Sequence, residues 1–196
     1  MDDAAISSVP LFAALDDDAR AALREAMQEV SLRRGETLFH EGDPGDRLYL
    51  VLEGKIKLGH RSNDGRENLL AILGPGELLG ELTLFEPGER TATATAVANS
   101  RLLELQHEPF MHLLDTRPGL AKHMLRALAQ RLRRTNEALA DLVFSDVPGR
   151  VAKALLDLSV RFGEQTPEGL RVAHDLTQEE LAQLVGASRE TVNKSL

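Results

Sequence analysis

From about Val30 to Leu105 the apolar residues come in short runs separated by turn-forming residues: RRGETLF, EGDPGDRLYLVLEGKIKL, SNDGRENLLAIL, GPGELLG and FEPGERTATATA. Turn signals recur at about 8–12 residues, the spacing of short antiparallel strands rather than of strand–helix–strand units. The stretch is therefore expected to fold as a β sandwich or barrel. Asp64-Gly65 is its best two-residue hairpin turn, because both residues tolerate positive φ. Ahead of it, VPLFAALDDDARAALREAM reads as a short amphipathic helix with acidic residues in its first turn.

After the strands the period changes. Pro118 suits the first turn of a helix, and Ala121, Leu125, Leu128, Leu132, Thr135, Leu139 and Leu142 then repeat at alternating spacings of four and three, a heptad seam. Lys122, Arg126, Arg131, Arg133 and Arg134 occupy the other faces, so the apolar stripe is narrow. A narrow stripe suits the same helix of a second subunit better than the chain's own β domain. Thr135 is polar where the seam is apolar, either to set helix register or because it has a ligand; Asn136 beside it adds hydrogen-bonding capacity. Beyond the seam, Asp146 as cap, Pro148 in the first turn and Gly163 as stop mark another helix, and LRVAH is a short candidate strand.

Charge changes the picture by its distribution. The net charge is −8, but residues 1–109 hold 11 Lys/Arg against 20 Asp/Glu, residues 110–144 hold 6 against 3, and residues 145–196 hold 6 against 8. The C-terminal part thus lacks the strong positive charge of many DNA-binding domains. The chain has no cysteine, which excludes disulfides, thiolate metal sites and a cysteine nucleophile, and its six histidines show no ligand spacing, so no metal is expected. No apolar run nears the roughly 18 residues of a membrane span, and MDDAAISSVP is acidic where a secretory signal is basic. A cytoplasmic protein without membrane association is expected. No kinase glycine loop or catalytic triad is present, so a non-enzymatic role is favoured over a catalytic or gating module.

Two stretches carry chemistry. In LTQEELAQLVGASRETVNKSL, Thr177 and Glu180 form a capping box, Leu181, Ala182 and Val185 face inward, Gly186 permits a turn and Ser188 caps a second helix. With small Ala182 at the crossing and Val192 returning to the core, this is helix-turn-helix spacing. Arg189, Glu190 and Lys194 fall on the outward face, where Arg can bind guanine, Glu can accept from cytosine and Lys can reach guanine or phosphate. In GELLGELTLFEPGERTATATA, Glu81 stands in an apolar run and Arg90-Thr91 follow nine and ten residues later. A guanidinium beside a hydroxyl suits a singly charged phosphate and a separate carboxylate suits a ribose hydroxyl, which together describe a cyclic nucleotide. Spacing alone serves equally for a partly buried ion pair between Glu81 and Arg90.

That second stretch closely resembles the phosphate-binding cassette of cyclic-nucleotide-binding domains. With the long helix and SRETVNK, nearly the whole chain resembles the CRP/FNR family of bacterial transcription regulators, of the cyclic-AMP receptor type and like its actinobacterial members. The resemblance implies an α+β chain: a cyclic-nucleotide-binding β-roll (jelly roll) with flanking helices over 1–117, a dimerisation helix and hinge over 118–145, and a winged-helix-type helix-turn-helix domain over 146–196. It implies that Gly80 and Leu82 bring backbone to cyclic AMP, Glu81 accepts from the ribose, Arg90 and Thr91 hold the phosphate, and Thr135 and Asn136 reach the adenine amino group, one of them from the partner subunit. Asn136 stands where serine is common in the family, and its amide both donates and accepts, which weakens discrimination against cyclic GMP. Arg189, Glu190 and Lys194 match base-reading positions, while Thr177, Ser188 and Thr191 join them as DNA-contacting residues. The implied partners are a second copy through the helix 118–145, a palindromic double-stranded DNA operator and RNA polymerase. The alternative within the family is a sensor of haem-bound gas or another metabolite with the same DNA output. The chain stops at Leu196, about two turns into the recognition helix, so the DNA-binding domain is expected to be incomplete and that helix marginally stable.

Overall fold

A computed structural model describes residues 17–62 and 67–196. Helix α1 (Asp17–Ala26) leads into eight strands: β1 (Met27–Leu32), β2 (Thr37–Phe39), β3 (Arg47–Glu53), β4 (Ile56–Arg61), β5 (Glu67–Leu73), β6 (Leu78–Leu79), β7 (Thr93–Ala96) and β8 (Ser100–Gln106). A single-turn helix, α2 (Leu82–Phe85), lies between β6 and β7. The strands make two four-stranded sheets, β1-β8-β3-β6 and β2-β7-β4-β5. The neighbours in sequence are thus largely separated in space, as in a β-roll. The expected turn at Asp64-Gly65 lies outside the described residues, although β4 and β5, which flank it, are neighbours in the second sheet. The expected first helix is described only from Asp17.

Strand β3 shows why the roll has an interior on each side of its first sheet. Successive side chains of a strand point to opposite faces, yet Leu48, Tyr49, Leu50, Val51 and Leu52 are all buried. Leu48, Leu50 and Leu52 pack with Leu103 and Leu105 of β8 and Met27 of β1 against Leu23 of α1 and the helices that follow the roll. These are α3 (His107–Thr116), which contributes Phe110, Leu113 and Leu114, and the start of α4 (Pro118–Phe144), which contributes Leu120 and Met124. Full burial of each such leucine is worth roughly 1.5–3 kcal/mol, so this cluster is a main anchor of the roll. The opposite face of β3 carries Tyr49, directly across from Glu104 of β8.

The described residues divide into two compact units. One runs to Leu58 and resumes over Ile72–Arg131; the other contains Leu132–Leu196 with the described part of Gly59–Ala71. In the second unit, α5 (Val147–Phe162) begins where the Asp146 side chain accepts from the Gly149 amide at 2.9 Å, with Pro148 in the first turn. Gly163 ends α5, as its position implies, but does so by turning directly into a strand. Strand β9 (Gly163–Thr166) pairs antiparallel with β10 (Gly169–Val172). The pattern at LRVAH anticipates β10 alone, because β9 is GEQT, with no apolar alternation to betray it. Helices α6 (Gln178–Val185) and α7 (Arg189–Ser195) complete the unit. No helix among the described residues is long and apolar enough to cross a membrane.

Candidate functional site

Gly80 follows the short strand β6 and adopts φ +78°. A Cβ there would lie 2.5 Å from Arg90 Nη1 and 2.9 Å from the Arg47 carbonyl oxygen, so only glycine lets the turn approach the guanidinium this closely. Glu81 comes next, at the entrance to α2, without capping it by its side chain. It is 3% exposed, and its carboxylate pairs with the Arg131 guanidinium of α4. The ion pair that spacing allowed between Glu81 and Arg90 is therefore replaced by one with a residue fifty positions away.

Arg90 is held by its backbone and its side chain together. Its amide donates to the Asp43 carbonyl at 2.8 Å and its carbonyl accepts from Gly42 at 2.9 Å, which fixes the chain just before β7 and turns the side chain inward. There Nη2 donates to the Arg47 carbonyl at 2.7 Å, and Nη1 to the Gly80 carbonyl at 3.2 Å and to Thr83 Oγ1 at 3.3 Å. The guanidinium lies over the Phe39 ring, 4.4 Å from its centroid. Arg90 is 5% exposed, all its hydrogen-bond partners are neutral, and its buried Nε has no partner among the described residues. Burial lowers the guanidinium pKa, against the opposing pull of Tyr49, Asp46, Asp43 and Glu81; an arginine nonetheless stays charged. A buried cation with only neutral partners and a spare N–H is a site made for an anion. The exposed Thr91 stands beside it, and Leu82 is exposed at the start of α2. Among the described residues no His/Cys/Asp/Glu group could hold a metal ion.

The second candidate site is on α6 and α7. The Thr177 side chain accepts from the Glu180 amide at 3.1 Å while the Glu180 carboxylate accepts from the Thr177 amide at 2.8 Å, so the capping box is complete. Gly186 takes φ +64°, and Ser188 accepts from the Thr191 amide to start α7. Leu181, Ala182, Val185 and Val192 are buried between the helices and α5. Arg189, Glu190 and Lys194 are exposed on α7, with Lys194 Nζ 2.7 Å from the Glu190 carboxylate. Ser188 and Thr191 are also exposed, their hydroxyls 2.8 Å apart.

Residues 29–117 match the cyclic nucleotide-binding domain and residues 149–196 the Crp-like helix-turn-helix domain. The chain is 53% identical over 194 residues to the CRP-like cAMP-activated global transcriptional regulator of Mycobacterium tuberculosis (strain ATCC 25618 / H37Rv), covering 99% of this chain and 87% of that protein. It belongs to the CRP/FNR family. The Cyclic AMP receptor protein of Thermus thermophilus is 38% identical over 187 residues, covering 95% of this chain and 83% of that one. Among solved structures, the c-di-GMP responsive global regulator CLP of Xanthomonas campestris matches with a TM-score of 0.74 at 28% identity, over 92% of this chain and 90% of that one.

In this CRP/FNR chain the residues brought around the cassette are not evident from sequence spacing. The structure gathers Gly80, Thr83, Arg47 and Phe39 around Arg90 and sets Glu81 against Arg131. Thr135 and Asn136 are exposed on α4 in the other unit, Thr135 one helical turn past Arg131. Arg131 lies off the heptad seam, as its spacing implies, but its face of the helix is turned to Glu81. Leu120, Met124 and Leu128 follow one another at spacings of four along the side of α4 that packs on the roll, and Arg131, three residues on, continues that side. The signal was an apolar row at spacings of four that meets the heptad seam at Leu128.

Proposed function

We propose that this chain is a cyclic-AMP-responsive, DNA-binding transcription regulator that acts in the cytoplasm as a homodimer. Its output is DNA binding rather than catalysis. The observation that carries the ligand reading is Arg90: a buried guanidinium with neutral partners and an Nε that has none among the described residues, next to Gly80 and followed by the Thr91 hydroxyl. When bound, the nucleotide supplies the missing anion. Arg90 and Thr91 take its cyclic phosphate, the backbone of Gly80 and Leu82 lies alongside, and Glu81 accepts from the ribose hydroxyl with the capacity Arg131 leaves. Thr135 and Asn136 are the residues we assign to the base.

On the DNA side, Arg189, Glu190 and Lys194 read base edges, and Thr177, Ser188 and Thr191 lie against the backbone. The ligand favours one of two pre-existing arrangements of the DNA-binding heads, the shift being limited by its difference in affinity for the two. Two heads related by two-fold symmetry read a palindromic operator, and RNA polymerase is the onward partner. The similar fold of a regulator described as c-di-GMP responsive makes that dinucleotide the second ligand to test. A buried cation favours an anionic ligand of either kind over a haem-bound gas.

Calorimetric titration of the chain with cyclic AMP, cyclic GMP and c-di-GMP decides among them. Cyclic AMP is expected to bind best, and Arg90→Ala to weaken it by about a hundredfold, the loss of about two charge-assisted hydrogen bonds. Equal cyclic AMP affinity in Arg90→Ala would remove the phosphate from Arg90, and heat only with c-di-GMP would replace the ligand.

A further inference from the structure

Arginine has several rotatable bonds, so an Arg90 that meets a phosphate edge-on has to be held in one orientation before the ligand arrives. Two of its anchors are backbone carbonyls, which no side-chain change removes. The third is different. Thr83, in α2, is 6% exposed, and its hydroxyl both donates to the Gly80 carbonyl at 3.1 Å and accepts from Arg90 Nη1 at 3.3 Å. It is the one side-chain oxygen bonded to Arg90 among the described residues. Gly80, Thr83 and Arg90 thereby close a triangle in which the Gly80 carbonyl accepts from both side chains. The room for the branched side chain comes from another loop: a Cβ on Gly45 would collide with Thr83 Cγ2, with Oγ1 at 2.6 Å and Cβ at 2.7 Å. Gly45 is itself tied to the cassette through its amide, which donates to the Gly88 carbonyl at 3.1 Å.

We propose that Thr83 is a positioning residue: its hydroxyl locks the Arg90 guanidinium with Nε facing the anion site, and so sets affinity for the cyclic phosphate without touching it. This inference rests on the proposed role of Arg90. A free Arg90 would have to lose side-chain freedom on binding, whereas the locked one has lost it on folding.

The test uses three variants of the full chain, Thr83→Val, Thr83→Ser and Thr83→Val combined with Arg90→Ala. Cyclic AMP affinity by calorimetry is expected to fall about fivefold in Thr83→Val, the weight of one ordinary hydrogen bond, and to recover to within about twofold in Thr83→Ser. In the Arg90→Ala background Thr83→Val is expected to change nothing further, because its effect runs through the guanidinium. A second readout needs no ligand. The Arg90 Nε–H resonance in the nitrogen-15 spectrum, assigned by its disappearance in Arg90→Lys, should exchange with water faster in Thr83→Val and at the original rate in Thr83→Ser. Unchanged exchange in Thr83→Val, or an equal loss of affinity with and without Arg90, overturns the role of Thr83. If the unaltered chain ignores cyclic AMP, the ligand reading falls by itself, and the exchange rate still decides whether Thr83 holds Arg90.

Discussion

Tyr49 is the chain's single tyrosine and sits in the wall around Arg90, its ring 6.0 Å from that of Phe39. Burial pushes its phenol pKa up and the facing Glu104 pushes the same way, while Arg90 and Arg47 pull it down. A raised folded-state value means that the folded chain prefers the neutral phenol. The corresponding stability is complete below about pH 10, the value of an unfolded tyrosine, and is lost as pH rises through the folded value. The tyrosinate absorbance of the native chain should therefore rise at higher pH than that of the same chain in denaturant; coincident curves would contradict it. Glu104, nearly buried, is matched by Arg47, whose Nη1 lies 2.6 Å from its carboxylate. The Arg47 carbonyl is in turn the 2.7 Å acceptor for Arg90. None of this was legible beforehand. The run RLYLVLE shows a buried strand, but the pairing of Tyr49 with Glu104 depends on a β3–β8 register set by residues more than fifty positions apart. Gly80, Glu81 and Arg90 were legible because a tight turn, a lone carboxylate and a lone guanidinium stand out in an apolar stretch.

Helices and their ends form the next scale, where local chemistry made the reading nearly complete. Pro118, Asp146, Thr177, Gly186 and Ser188 each act where the sequence placed them, since a cap or a left-handed turn is decided within about four residues. Arg150 carries no signal in the sequence because its partners are not local. From the first turn of α5 its Nη1 donates to the Ser145 carbonyl at 2.9 Å, its Nε to Val185 at 2.8 Å and its Nη2 to Gly186 at 3.2 Å. One guanidinium thus ties the break between α4 and α5 to the turn between α6 and α7, satisfying carbonyls at the end of α6 that the helix itself leaves open. Arg150→Ala is expected to lower unfolding stability by about 2 kcal/mol, read as a shift in denaturant midpoint, and to speed amide exchange in α6. Arg150→Lys should recover only part, since an ammonium lacks the planar fork that spans all three carbonyls. A midpoint unchanged in Arg150→Ala would show these bonds to carry no net weight.

At the scale of the whole molecule the question is what covers α4. Its first turns bury Leu120 and Met124 in the roll, yet Leu125, Leu132, Leu139 and Leu142 are each half or more exposed. These four are members of the heptad seam, and exposed leucines at that spacing are poorly placed in water unless a second helix meets them. One side of the long helix, with Ala121 and Leu128 of the seam, packs on its own roll, and the four exposed leucines are the surface we propose a second copy covers. Leu139→Asp is expected to convert a dimer to a monomer in sedimentation, with the helical content of the chain retained. A monomer before the substitution, or a dimer after it, would remove the seam from the interface.

By itself the sequence determined most strands of the roll by short apolar runs between turns, the helix ends by their caps and the helix-turn-helix by its glycine and small residues, while the cassette was marked by its resemblance to a family motif. Each is a property of neighbours along the chain, where a few bonds settle the conformation. Only the tertiary structure decided that Glu81 faces Arg131 and not Arg90, that Arg90 is buried among neutral acceptors with Nε to spare, and that Thr83 and Arg150 hold what they hold. The reason is that burial and charge pairing depend on which distant segments the folded sheets and helices bring within a few ångströms. That distance is not written in sequence spacing.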